Sequence, residues 1–170
     1  MSIIAVYNIK GGVGKTATAV NLAYLSASGG ERTLLCDMDP QGSSSFYFRI
    51  RPDRKFNADK LLKGGKHIDR SIRGTDFPGL DLLHADFSYR NIDIALDDMK
   101  KSKQRLSRIL RPLCGEYAQI FLDCPPNITL LSENIFHAAD YILVPLIPTT
   151  LSHLALQQLY GFPKAIDEQR

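Results

Sequence analysis

The chain has 170 residues, 44% of them apolar and 23% charged, and its formal net charge is +3. These are the proportions of a soluble globular protein with one core, read here as a single domain over 1–170. No apolar run approaches the ~20 residues of a membrane-spanning helix, the first apolar run lacks the flanks of a secretory leader, and Cys36, Cys114 and Cys124 form no C-x-x-C pair, which argues against zinc and suits a reducing cytoplasm.

In chain order, residues 3–8 read as a strand. The run Lys10-Gly11-Gly12-Val13-Gly14-Lys15-Thr16 follows at once and opens a helix over 15–28. Ala19, Leu22, Ala23 and Leu25 form the apolar face of that helix, and Gly29-Gly30 ends it. A strand that feeds a glycine loop ending in Lys-Thr is a phosphate cradle. The glycines let the backbone come close to a ligand, successive N–H groups converge on an anion, and the helix start adds the positive end of its dipole. Lys15 supplies a charge for the outer phosphates, and the Thr16 hydroxyl is a ligand for Mg²⁺. The strict pattern G-x-x-x-x-G-K-[ST] would put glycine at position 9. This chain has Ile9 there and a second lysine, Lys10, beside it.

Residues 33–37 read as a second strand, and Gly42-Ser43-Ser44-Ser45 as a loop or helix start. The stretch 46–78 is the least legible. It holds Arg49, Arg51, Arg54 and Lys55, a short helix near 58–62 and the breaker Gly64-Gly65. Strands follow at 80–84, 118–123 and 141–145, and helices at 92–111, 130–138 and 152–159. On the helix over 92–111, Leu106, Ile109, Leu110 and Leu113 recur at helical spacing, while Lys100, Lys101, Lys103, Arg105, Arg108 and Arg111 occupy the other face. Those six cations read either as a DNA-facing stripe or as a solvated helix face, which Asp97 and Asp98 favour. The alternation predicts an α/β fold, a mostly parallel β-sheet with helices on both faces.

Two acidic segments stand at strand ends, where such sheets place ligands: Asp37-Met38-Asp39-Pro40-Gln41-Gly42 and Ile120-Phe121-Leu122-Asp123-Cys124-Pro125-Pro126. An apolar strand ending in aspartate downstream of a phosphate loop can hold Mg²⁺ through water, and a carboxylate at Asp39 can orient an attacking water.

With these two segments, the lysine loop, Ala19-Val20-Asn21-Leu22-Ala23 and Val144-Pro145, the chain resembles the ParA family of partition ATPases, a branch of the deviant Walker A group of P-loop NTPases. The resemblance implies an ATP sandwich homodimer with ATP and Mg²⁺ as cofactors. Gly11, Gly12, Val13, Gly14, Lys15, Thr16 and Ala17 would bind the nucleotide, and Lys10 would reach the partner's nucleotide across the interface. Thr16 would ligate the metal, Asp123 would hold its water shell, and Asp39 would position the water beside it. The implied partners are non-specific DNA and a ParB-like or other cargo adaptor, with no membrane; the implied location is the cytoplasm, on the nucleoid if DNA is bound.

Ala17 departs from the family, which usually has a second hydroxyl residue there. The loss of one hydrogen bond to a charged group costs about 1.5–3 kcal/mol. His84 replaces a frequent proline and reads as structural. The chain is also expected to be C-terminally short for the family. Three other functions are open: a short nucleotide-binding regulator without full turnover, a MinD-like membrane-positioning ATPase, and a metabolic or electron-transfer relative. Residues 151–170 show no strongly basic amphipathic segment, which counts against the membrane reading. No second cysteine accompanies Cys124 at a cluster-binding spacing, which counts against iron–sulfur chemistry.

Overall fold

The computed structural model describes residues 2–53 and 55–167, the stretch 162–167 as backbone alone. Arg54, one of the cations at 49–55, therefore lies outside the described residues.

Six strands form one sheet: β1 (Ser2–Val6), β2 (Thr33–Asp37), β3 (Ile72–Gly74), β4 (Leu80–Leu83), β5 (Gln119–Asp123) and β6 (Tyr141–Leu143). Their order is β3-β4-β2-β5-β1-β6. All neighbours pair in parallel except β3, which pairs with β4 antiparallel at one edge. Only three residues long, β3 shows no alternation that a sequence pattern could register.

Alternate residues of each strand face opposite layers. Ile3, Ala5, Tyr7, Leu34, Cys36, Ile120 and Leu122 join a core with α3 (Ala58–Lys63), α5 (Ile92–Asp97), α6 (Arg105–Leu110) and α7 (Leu130–Ala138). Val6, Leu35 and Phe121 face the other way, onto α1 (Lys15–Ser28). This helix buries Ala19, Ala23 and Ala27, spaced four apart, so it lies close on the sheet, whereas Leu25 points outward and is 60% exposed. The face expected through Leu25 is therefore rotated toward Ala27.

The helix expected over 92–111 is two helices. It breaks after α5, Lys101 turns left-handed at φ 56°, and a short 3-10 turn, Ser102–Gln104, leads into α6. Three of the six cations of 100–111 serve local contacts. Lys103 meets Glu133 at 3.1 Å, Arg111 meets Asp140 at 2.8 Å, and Arg105 donates to the carbonyls of Leu62 and Lys63. They do not form one continuous stripe. The remaining helices are α2 (Ser43–Tyr47), α4 (Lys66–Asp69) and α8 (Thr150–Asp167).

Candidate nucleotide site

The central strands β2, β5 and β1 lie side by side, with Val6 and Asp37 both opposite Asp123. Their C-terminal ends therefore deliver the glycine loop, Asp123 and the Asp37–Asp39 segment to one place, the position where open parallel sheets collect ligands.

The loop at 10–16 turns through left-handed Gly12 (φ 72°) and Gly14 (φ 90°), and Gly14 caps α1. A Cβ added at Gly11, Gly12 or Gly14 would meet no atom within 4 Å, so the cradle is open on its ligand side. Asn8, buried at the loop's entry, accepts from the Lys10 amide at 2.9 Å and donates to the Pro145 carbonyl at 2.9 Å. One amide thus ties the loop to the segment after β6. Tyr7 donates to the Asn127 carbonyl at 2.7 Å and fixes the segment after β5.

Lys15 is 8% exposed, and its ammonium donates to the Lys10 carbonyl at 3.0 Å. Burial pulls its pKa down, opposed by the charges of Asp123 and Asp39. Asp123 is buried at the end of β5. Its Oδ2 accepts from the Ser44 hydroxyl at 2.6 Å, while its Oδ1 has no hydrogen-bond partner. Burial raises its pKa, with the Ser44 and Thr16 hydroxyls pulling it back. Burial pushes Asp37 up to about 7, although the Ser45 amide and hydroxyl both donate to its Oδ2 at 2.8 Å. Asp39, half-buried, accepts from the Gln41 amide at 2.9 Å. The five-residue helix α2 is therefore pinned to two strand-end carboxylates, Ser44 to Asp123 and Ser45 to Asp37.

A buried carboxylate oxygen without a donor, beside a threonine hydroxyl and a lysine, suits a hydrated divalent cation, which satisfies orphaned oxygens through its waters. Among the described residues, no three His, Cys, Asp or Glu side chains gather as a cage made of protein alone. Lys15, Thr16, Asp39 and Asp123 converge. The Lys10 side chain does not join them: its ammonium lies 3.2 Å from the Thr149 hydroxyl and 3.4 Å from that of Ser152, at the start of α8. Ala17 is exposed, the third residue of α1, and its carbonyl accepts from Asn21 at 2.7 Å. Sequence reasoning missed Asn8, Ser44, Ser45, Thr149 and Ser152. The run Ser43-Ser44-Ser45 after an aspartate segment was a visible signal for two of them. His84 is buried; its Nδ1 lies 2.9 Å from the Ala85 carbonyl and its Nε2 accepts from the Asp53 amide at 3.2 Å, so it anchors the loop before α3.

Sheet, loop and strand-end carboxylates define an α/β protein of the P-loop class. A family model described as an AAA domain matches residues 1–170. The chromosome partitioning protein ParA of Caulobacter vibrioides is 38% identical over 173 residues, which is all of this chain and 64% of that protein. A plasmid partition protein from Borrelia burgdorferi superposes with a TM-score of 0.87 at 28% identity, covering 98% of this chain and 74% of the other. Cobyrinic acid a,c-diamide synthase from Mycobacterium smegmatis, solved with a bound ATP analog and magnesium, superposes at 0.86 with 31% identity, covering 99% and 68%. The chain belongs to this AAA-domain family, in its ParA branch. It spans 64% of the length of the Caulobacter relative.

Proposed function

We propose that the chain is a dimerising, Mg²⁺- and ATP-dependent ATPase domain of the partition type, acting on DNA-associated cargo with a ParB-like or other adaptor. The observation that carries this reading is the meeting of Lys15, Thr16 and the orphaned Asp123 oxygen below an open glycine cradle, with a second lysine at the cradle's rim. Gly11 through Ala17 would wrap the phosphates with backbone N–H groups. Lys15, held by the Lys10 carbonyl, would balance the outer phosphate charge. Thr16 and Asp123 would hold the cation, and Asp39 would orient the water. Bound Mg²⁺ would neutralise charge on the transferred phosphoryl group. Lys10 would leave the Thr149 and Ser152 hydroxyls and reach a partner's nucleotide, so that hydrolysis requires dimerisation.

The test is Lys10→Ala. Partner-stimulated turnover is expected to fall by about 10³-fold, the scale of a cation supplied in trans to phosphoryl transfer, while binding of a fluorescent ATP analogue persists. Normal turnover in that variant would rule out the trans-lysine mechanism. DNA binding under this reading is electrostatic and weakens steeply with salt. A second reading, a nucleotide-binding regulator with little turnover of its own, is favoured by Ala17, which brings no hydroxyl to the phosphates. ATP bound without hydrolysis at any partner concentration would support it.

A further inference from the structure

Beside the nucleotide site, α2 and the chain at 49–52 border a groove of about 720 Å³ that the proposed reaction does not use. Phe46, Tyr47 and Phe87 line it at 85%, 62% and 61% exposure, with Ile50 among them. Arg49 and Arg51 also line it, and among the described residues no carboxylate does. Among the described residues no acid pairs with either guanidinium. The neighbouring Arg90 stacks on the Phe87 ring, 4.2 Å from its centroid.

Arg49 is also conformationally out of place. The Ile50 amide bonds to the Ser45 carbonyl and the Arg49 amide to that of Phe46, both at 3.0 Å, which is the Schellman ending of a helix. That ending puts Arg49 at φ 56°, a position that favours glycine. A side chain kept where glycine would be less strained points to a use for that side chain.

We propose that this groove docks an acidic peptide segment of a partner protein, with an aromatic or aliphatic anchor among Phe46, Tyr47 and Phe87 and its carboxylates on Arg49 and Arg51. Exposed aromatics beside arginines are the composition of binding hot spots, and a lining with cations and no acid selects a negative partner. Docking also touches the nucleotide site. Pro40, Gln41 and Gly42 belong to both the groove and the Asp39 segment, and Ser44 and Ser45 tie α2 to Asp123 and Asp37. An occupied groove would therefore shift ATP affinity; this second part rests on the proposed nucleotide reading.

The probe is a fluorescein-labelled octapeptide, Glu-Asp-Leu-Glu-Phe-Asp-Glu-Glu, titrated by anisotropy without nucleotide, beside the same peptide with every acid replaced by lysine and a twelve-nucleotide oligo-thymidylate. The acidic peptide is expected to saturate, with affinity at least about tenfold weaker for Arg49→Gly and for Arg51→Ala. Arg49→Gly should meanwhile melt about 2–4 °C higher, because strain is relieved, so its lost binding is not lost folding. Equal affinity for the lysine peptide, or binding unchanged by both substitutions, overturns the proposal. Tighter, arginine-dependent binding of the oligo-thymidylate overturns it in favour of nucleic acid. ATP binding is measured separately, so failure of the nucleotide reading leaves the peptide titration interpretable.

Discussion

Gly11, Gly12 and Gly14 look equivalent along the chain, yet backbone geometry separates them. Gly12 and Gly14 sit at positive φ, where a Cβ costs about 1–2 kcal/mol even in open space. Gly11 carries no such strain and also has open space around it. Gly14→Ala should therefore lower both the melting temperature and the affinity for ATP. Gly11→Ala should leave the melt within about 0.5 kcal/mol of the parent and weaken ATP alone, because its methyl enters the cradle. Calorimetric melting and ATP titration on the two variants check this; equal destabilisation would show that the loop is not held as described. The same distinction applies to the two lysines. Lys15 is buried and bound to a carbonyl that it never leaves in the proposed cycle. Lys10 rests on two neutral hydroxyls at a helix N-terminus, where the dipole disfavours a cation, so release to a phosphate is easy.

Elements are set in place by a few contacts that residue types alone do not announce. Gly64 ends α3 at φ 71° and ψ −161°, backbone open to glycine almost exclusively, and a Cβ there would lie 3.2 Å from Cγ1 of Ile109 on α6. Gly64→Ala should destabilise by about 2–3 kcal/mol, more than Gly14→Ala, as urea denaturation would show. Asp140, at the start of β6, accepts from the Ile3 amide at 2.8 Å and from Arg111 at 2.8 Å. Burial pulls its carboxyl up, but the Ile3 amide and the Arg111 guanidinium outweigh that and hold it below the usual range. A depressed folded pKa means stability that is present above the unfolded value, near pH 4, and is lost as pH falls through the folded one. Asp140→Asn should cost about 1 kcal/mol at pH 7, since the Asp140 and Arg111 side chains are both partly solvated, and the gap to the parent should close toward pH 2. Thermal melts at the two pH values decide it; a gap unchanged at low pH would remove the carboxylate from the account.

At the scale of the molecule, the proposed cycle turns on two copies meeting over shared nucleotide. Light scattering should show Asp39→Ala as a dimer with Mg²⁺ and ATP and a monomer without them, while Lys10→Ala with the same ligands stays monomeric. A monomeric Asp39→Ala under all conditions would count against the sandwich. No described helix is long and apolar enough to cross a membrane. The loop, its two lysines, Thr16 and the strand-end aspartates were legible because each is a local spacing: a strand, a tight turn and a helix start are fixed by neighbours within a few residues. So was the alternation of strands and helices, since period-2 and period-3.6 patterns are local too. What only the tertiary structure decided was everything set by strand order and packing: that β5 lies between β1 and β2 and brings Asp123 to the loop, that Ser44 reaches Asp123 across 79 positions, that the helix over 92–111 breaks to pack against two neighbours, and that Lys10 rests on Thr149, just before α8 and 139 positions away. Contacts at such separations depend on which surfaces bury one another, and composition and spacing along a chain do not encode that directly.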